Sequence, residues 1–314
     1  MAQIASVVVP VYNESEIVTE NIDALVKYLD STLVNYEVIL VENGSIDDTG
    51  VLVEQISREN PRVRAFNLPE PCLGKALKTG ILNAKHSKVV YYPVDLSVNL
   101  SFIPESVALL DAYHIVIGSK KMRTALDNRP LKRRVASTGF HRTVQTLFRT
   151  DLSDTTCVKA YRKEVAFELM NAVPTENSVF ETEVLLDAQS MGFTVHQIPV
   201  EVNDRRKGRL PLRHKGVSKL QDLLSLRMDV LSMIAGVSMF FAGVLFMTYL
   251  SLQKLLFNKE GFLNPYSFLI SMLLILFGAQ GFAYGLFTRL VLQIRKEITL
   301  SQSHSGNVFK EERK

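Results

Sequence analysis

The sequence predicts an α/β fold, a mostly parallel sheet flanked by helices, followed by a C-terminal hairpin of two membrane-spanning helices. Three observations carry that expectation. Apolar, β-branched runs alternate with helical segments of about ten to fifteen residues in the first part of the chain, the pattern of parallel strands joined by crossovers. The first two runs, SVVVPVYNE (Ser6–Glu14) and EVILVENGSIDDT (Glu37–Thr49), each stop abruptly in polar residues suited to a turn and a helix start. Two later stretches, Val230–Phe257 and Tyr266–Leu292, are almost wholly apolar and far longer than ordinary core helices.

In order along the chain, strands are predicted at Ile4–Val9, Glu37–Val41, Val63–Asn67, Lys88–Pro93 and Ile115–Gly118. Helices are predicted at Glu16–Asp30, Asp48–Glu59, Gly74–Ala84 and Glu105–Ala112. A parallel strand buried on both faces reads as a continuous apolar run, as these do. A helix over Leu131–Phe148, another over Phe180–Met191 closed by Gly192, and a strand over Thr194–Val202 complete a globular domain of residues 1–212. In such sheets ligands bind beyond the carboxyl ends of the strands, where Tyr12, Asn13, Glu14, Glu42 and Asn43 fall.

The net charge of +4 is mild, but the basic residues are unevenly placed. Lys120 to Arg134 holds seven Lys or Arg against one Asp, and Arg205 to Lys219 holds seven more with no acid. Such runs suit phosphates or an anionic membrane surface, and no nucleic-acid partner is expected. Two cysteines, Cys72 and Cys157, cannot build a disulfide framework and fit a reducing compartment. The amino terminus lacks a basic stretch followed by a long apolar core, so no cleaved signal peptide is expected.

A basic juxtamembrane segment (213–229) leads into the apolar region (230–294), and a basic tail follows (295–314). Each apolar stretch would span about 40 Å as a helix at ~1.5 Å per residue, enough to cross a ~30 Å hydrocarbon core with tilt. The short link Asn258–Asn264 makes the two a hairpin, so both outer flanks face one side. Those flanks carry Arg295, Lys296, Lys310, Arg313 and Lys314 after the second span, whereas the link has Lys259 beside Glu260. The positive-inside rule then places the globular domain and the tail in the cytoplasm, making this a multi-pass membrane protein. Gly281-x-x-x-Gly285 suits close helix approach, so homo-oligomerisation through the spans is a further expectation.

The two opening segments resemble the "PxYNE" and "DDgStDgT" elements of glycosyltransferase family 2, enzymes of the Rossmann-like GT-A fold that use nucleotide-sugars. The resemblance implies that Pro10, Tyr12 and Glu14 line the nucleotide cleft and that Glu42, with Asn43, sits at the acidic position that binds the base. Glu42-Asn43 stands where the family usually shows Asp-Asp. YYPVDLS (Tyr91–Ser97) is similar to the family's "DADLS", whose acids bind ribose and a divalent cation. Pro93 replaces the first acid, leaving Asp95 to hold Mg²⁺ or Mn²⁺. PEPCLGKA (Pro69–Ala76) is similar to the "GKG" approach to a helix, with Lys75 toward a phosphate.

Other segments resemble the polyprenyl-phosphate hexose synthase subgroup, which includes the dolichol-phosphate mannose and glucose synthases. IGSKK (Ile117–Lys121) resembles "iGSR", with Lys120 in place of Arg, and LKRRVAS (Leu131–Ser137) resembles "kRxxxS", pointing to Arg133. DLSDTTCVKAY (Asp151–Tyr161) resembles "vsDtxcGfkay" without its Gly and places Asp154 near the acceptor. FETE (Phe180–Glu183) resembles the family's acidic helix start and implicates Glu181 or Glu183. NDRRKG (Asn203–Gly208) and RHKGVSKL (Arg213–Leu220) both resemble "dRxxGxSKL", so Arg205 and Arg213 are alternatives for the lipid phosphate, with Lys219 beside the second.

The resemblance thus implies a membrane enzyme that moves one hexose from a nucleotide-sugar to a polyprenyl phosphate, inverting. A lipid monophosphate is already anionic near neutral pH, so its attack needs orientation and charge screening more than a base. Arg133 and Lys120 would clamp phosphates and Asp154 would position. Transfer to a glycolipid or lipid hydroxyl, and a non-catalytic nucleotide-sugar-binding scaffold, are the alternatives. A processive synthase is disfavoured, because that branch carries "QxxRW" and this chain has no tryptophan.

Overall fold

The computed structural model describes residues 3–122, 125–128, 130–173, 176–203, 221–257 and 265–311, and within them the side chains of 132, 133, 257 and 295–311 stay outside the description. Two compact units emerge, Met1–Asp222 and Leu223–Lys314. The first begins with five strand-led units in sequence: β1 (Ile4–Val11), α1 (Val18–Thr32), β2 (Asn35–Asn43), α2 (Thr49–Glu59), β3 (Val63–Leu68), α3 (Leu73–Leu82), β4 (Lys88–Tyr91), α4 (Phe102–Leu109) and β5 (Ile115–Ser119). It continues through β6 (Leu126–Asp127), α5 (Leu131–Phe148), β7 (Lys159–Arg162), α6 (Lys163–Ala172), α7 (Phe180–Ser190), β8 (Val195–Pro199) and β9 (Glu201–Val202).

Seven strands form one sheet in the order β3-β2-β1-β4-β7-β5-β8, and β6 pairs with β9 in a separate ribbon. All neighbours in the large sheet run parallel except around β7, which is antiparallel to both β4 and β5. The continuous apolar runs resolve into two cores. Val7, Val9, Val38, Leu40 and Val116 face one side, against Ile22, Leu25, Val53, Phe102 and Ile103 of α1, α2 and α4. Val8, Ile39, Val41, Ile115 and Ile117 face the other, against residues of α3, α6 and α7 such as Leu77, Leu169 and Leu185. Alternate side chains of one strand therefore serve different cores, as the period of two requires. On α3, a Cβ at Gly80 would stand 2.3 Å from Val8 Cγ1, so only glycine lets this helix lie so close to β1.

The single predicted strand Thr194–Val202 is two strands, β8 and β9, and β9 leaves the main sheet to pair with β6. Strand β7 and helix α6 were not foreseen. In β7, Lys159 is buried, which a sequence reading assigns to solvent.

The second unit contains α8 (Met228–Phe257) and α9 (Pro265–Glu311). Within them, Met228–Leu256 and Pro265–Ile294 are long and apolar enough to cross a membrane, with mean hydropathies of 2.2 and 1.8. Helix α9 runs past Leu292, where the predicted span ended, because no proline interrupts it. The two helices meet along a glycine seam. A Cβ at Gly236 would fall 2.3 Å from Phe282 N, and one at Gly278 would fall 2.4 Å from Phe240 N. Gly285 packs against Asp229 and Met233 in the same seam, so the glycines noted in the sequence serve contact within the hairpin.

Candidate functional site

The carboxyl ends of β2, β1 and β4 lie side by side. Val11 pairs with Glu42, Val8 pairs with Tyr91, and the Tyr92 N–H extends that edge by donating to Val8 O at 2.9 Å. Tyr12, Glu42 and Asp95 therefore leave one edge of the sheet, from three adjacent strands.

The β1 and β2 loops are stapled together. Asn13, in the left-handed region at φ 51°, donates its N–H to Ser45 Oγ and accepts from the Ile46 N–H on Oδ1, both at 2.9 Å. That turn leaves Tyr12 39 % exposed at the rim and half-buried Pro10 behind it. The Glu14 N–H donates to Thr49 Oγ1 at 2.8 Å, and the Glu14 side chain is buried. Asp47 accepts from the Ser15 hydroxyl and the Thr49 N–H. Desolvation works against its ionisation, but the hydrogen bonds from Thr49 and Ser15 outweigh it and hold the carboxyl at about 2.

Glu42 turns its buried carboxylate onto its own loop, accepting from the Gly44 N–H at 3.2 Å and the Ser45 N–H at 2.5 Å. An ionised carboxylate has about four lone-pair sites, so capacity is left for a ring N–H of a base. Asn43 Oδ1 accepts from the Cys72 N–H at 2.7 Å, joining β2 to the entry of α3. Gly44 between them has φ 69°, and a Cβ there would meet the Glu70 carbonyl carbon at 2.7 Å. Lys75 is exposed in the first turn of α3.

Beyond β4, half-buried Asp95 accepts from the Ser97 N–H at 3.0 Å, with Leu96 at φ 48° between them. The preceding Val94 carbonyl accepts from Asn21 Nδ2 of α1 at 2.9 Å, and the Tyr92 hydroxyl donates to Val98 O, so this loop is held from both sides. Among the described residues no group of three or more His, Cys, Asp or Glu gathers as a metal cage. A single carboxylate such as Asp95 fits a hard cation that draws its other ligands from substrate oxygens and water.

A second cluster lies at the end of β5. Lys120 Nζ is 2.8 Å from Asp154 Oδ2, and both side chains are buried. The other carboxylate oxygen, Oδ1, accepts from the Thr156 N–H at 3.0 Å and lies 3.1 Å from His141 Nε2 of α5. That imidazole is buried and neither ring nitrogen has an aligned hydrogen-bond partner, so its contact with Asp154 is one of proximity. Burial alone would raise the Asp154 carboxyl, but Lys120 and His141 drive it well below the usual carboxylate range.

Outside this cluster, between α5 and the loop after β5, opens a cavity of about 580 Å³. Among the described residues Lys120, Lys121, Arg134 and Arg142 line it against one acid, Asp127, and Met122, Leu131 and Val135 add apolar surface. Lys121 Nζ donates to Thr138 Oγ1 at 2.6 Å. Arg133 lies in the first turn of α5, but its side chain, like Arg205, Arg213 and Lys219, falls outside the described residues.

Glu181 opens α7 and pairs with a lysine. Lys159 Nζ lies 2.5 Å from Glu181 Oε1, donates to Cys157 O at 2.7 Å and sits 5.4 Å over the Tyr91 ring. Lys159, His141, Lys121, Arg134 and Arg142 were not singled out from the sequence as site residues. For Arg134 and Arg142 the signal was present, since they recur about two turns apart on the helix predicted over Leu131–Phe148.

The family model for glycosyl transferase family 2 matches residues 6–169. Glycosyltransferase AglD of Haloferax volcanii is 31% identical over 202 residues, covering 62% of this chain and 32% of the relative. The dolichyl-phosphate beta-glucosyltransferase ALG5C of Trichomonas vaginalis is 28% identical over 212 residues, 63% of each chain. The dolichyl-phosphate beta-glucosyltransferase of Dictyostelium discoideum is 25% identical, covering 71% of this chain and 73% of the relative. The chain thus spans about a third and under two-thirds of the first two relatives. Among solved structures, glucosyl-3-phosphoglycerate synthase from Mycobacterium tuberculosis, crystallised with Mn²⁺ and UDP-glucose, superposes with a TM-score of 0.53 at 19% identity. The match covers 71% of this chain and 78% of that one.

Proposed function

The chain belongs to glycosyl transferase family 2, and we propose that it moves a single hexose from a nucleotide-sugar to a polyprenyl or dolichyl phosphate. Its fold is the GT-A type that the sequence resemblance implied. The donor is of the UDP-glucose or GDP-mannose type, the transfer inverts the anomeric carbon, and the site faces the cytoplasm. The relatives named as dolichyl-phosphate glucosyltransferases support this acceptor. The observation that carries it is the cavity beside Lys120, whose lining sets Lys120, Lys121, Arg134 and Arg142 among Met122, Leu131 and Val135, suited to a phosphate on a hydrocarbon chain.

In this reading the base and ribose lie along the β2-β1-β4 edge, with Glu42 accepting from the base and Tyr12, Pro10 and Glu14 lining the cleft. Asp95 would hold Mg²⁺ or Mn²⁺, which supplies charge neutralisation for the leaving diphosphate. Lys75, Lys120 and Arg133 add cationic contacts, and Arg205 or Arg213, with Lys219, reaches the lipid phosphate. A phosphate monoester with a second pKa of about 6 is already a nucleophile at neutral pH, so no proton need be removed. Asp154 fits that economy. It is fully buried, paired with Lys120 and held ionised, so it positions cations, and Glu181 is neutralised by Lys159.

The test is an assay of the detergent-solubilised protein with radiolabelled nucleotide-sugars and polyprenyl phosphate. Labelled lipid is expected with at least one donor. Its absence across a broad donor panel removes the proposal.

A further inference from the structure

We infer that His141 is a positioning residue for anion binding, acting on the cavity through Asp154 and Lys120. The reasoning starts from how Asp154 divides its carboxylate. Oδ2 faces Lys120 Nζ at 2.8 Å, whereas Oδ1 is bounded by Thr156 and by His141 Nε2 at 3.1 Å. A single negative charge is thus fixed between a lysine from the end of β5 and an imidazole from the middle of α5.

The two partners belong to the two walls of the cavity. Lys120 itself lines it, and the helix that carries His141 contributes Thr138, Arg134 and Arg142 to the same lining. His141 is therefore the contact at which α5 meets the anchor of Lys120. Nearby, Gln145 Nε2 donates to Leu152 O at 3.1 Å, giving α5 a second, uncharged tie to the same segment. The fold has that second tie without His141, so a buried imidazole at this point is not needed simply to attach the helix.

Its chemistry suits a different task. A buried imidazole with neither nitrogen in an aligned bond is costly, and such a group persists where its surroundings use it. Standing 3.1 Å from Oδ1, beside the Thr156 N–H and hydroxyl that donate to it, His141 helps keep Oδ2 turned toward Lys120 and so fixes where that ammonium stands at the cavity wall. Without it Thr156 alone bounds Oδ1, and the position of Lys120 at the wall is less sharply defined for a bound anion. The burial of Asp154 strengthens this coupling, because each partner acts in a medium of low dielectric.

The inference rests on the reading of the cavity as an anion site but not on sugar transfer. The experiment therefore reads binding of inorganic sulfate, which does not titrate near neutral pH, to the detergent-solubilised full chain by calorimetry. His141→Leu is expected to raise the sulfate Kd about tenfold, the scale of losing one polar contact to a buried charge. His141→Gln, whose amide nitrogen stands where Nε2 does, keeps it within about twofold. Lys120→Met raises the Kd, and adding His141→Leu to it raises it little further, since both act through one group.

An unchanged Kd in a folded His141→Leu protein overturns the inference, as do losses that multiply in the double variant or sulfate binding indifferent to Lys120→Met. If His141→Leu does not fold, the pair His141→Gln and His141→Asn decides. The asparagine amide falls short of Asp154 and should bind about tenfold more weakly than the glutamine; equal affinities overturn the inference. Loss of transfer activity with an intact sulfate pattern counts instead against the proposed reaction.

Discussion

Substituting Asp154 by Asn tests whether the buried charge cluster is structural anchor or chemical base. The carboxylate lies 2.8 Å from Lys120 Nζ, and both groups are almost wholly removed from solvent. At an effective dielectric near 20, a unit charge pair at that separation is worth about 6 kcal/mol. Asparagine keeps one oxygen, which can face Lys120 or Thr156 but not both, and loses the charge, leaving a buried ammonium poorly compensated. Breaking a buried pair by removing one partner costs about 3 to 5 kcal/mol. The lower end applies here, because the amide still accepts. For a domain of this size about 3 kcal/mol lowers the melting temperature by roughly 6 to 12 °C. Circular dichroism melting of the detergent-solubilised chain reads this directly. The double variant Asp154→Asn with Lys120→Met should melt above the single, since no charge is then stranded. A single variant melting within about 2 °C of the parent, or a double variant melting lower still, would refute the reasoning. The same protein informs the chemistry. A base for a hydroxyl acceptor loses about 10²- to 10⁴-fold in rate on becoming an amide, whereas an anchor loses what its partners lose.

Three further outcomes are expected. Glu37, buried and holding Ser6, the Lys85 N–H and Arg64, has its carboxyl lowered because those bonds outweigh desolvation. A depressed carboxylate stabilises the fold above its ordinary range and loses that contribution as pH falls through its folded value. Glu37→Gln should therefore cost about 2 kcal/mol at neutral pH and flatten the acid limb of the stability profile; parallel acid limbs would speak against it. Gly278→Leu should force α8 and α9 apart, since even a Cβ there falls 2.4 Å from Phe240 N, and spin labels at Thr248 and Leu269 should report a longer distance. An unchanged distance would mean the seam tolerates bulk. Asp95→Asn should abolish any tightening of UDP binding by Mn²⁺ in calorimetry while leaving the melting temperature near that of the parent; tightening that persists would assign the cation elsewhere.

How much was legible from the sequence divides along physical lines. The crossover units from β1 to β5 were readable because parallel strands buried on both faces must be apolar throughout, and polar loop residues mark their ends. The shared edge of Tyr12, Glu42 and Asp95 follows from that order. Strand β7 was not readable, because its Lys159 is a buried cation made tolerable by Glu181, which lies 22 residues away in sequence. Nothing local signals such compensation. His141 was hidden for the same reason, since its relevance comes from Asp154, placed against it only when α5 folds back over the 151–156 segment. The split of Thr194–Val202 into β8 and β9 depends on β6, two residues too short to leave a pattern.

The distribution of charge also separates the two ends of the proposed reaction. At the β2-β1-β4 edge the carboxylates of Glu42 and Asp95 each accept from a backbone N–H of their own loop, so they are set in place before any ligand arrives. Their preorganised oxygens suit N–H and O–H donors of a nucleoside and a hard cation. At the cavity the order reverses. Asp154 is withdrawn beneath Lys120, and the surface offered to a ligand is ammonium and guanidinium beside leucine and valine. A hydroxyl acceptor would need a base at that end, for which the described wall offers Asp127 and not the buried Asp154, whereas an anion bearing a hydrocarbon tail suits the surrounding Lys and Arg. Among the described residues the wall's one acid is Asp127, paired with Val202 in the β6–β9 ribbon, and it stands against four Lys and Arg, so the charge there favours an anion.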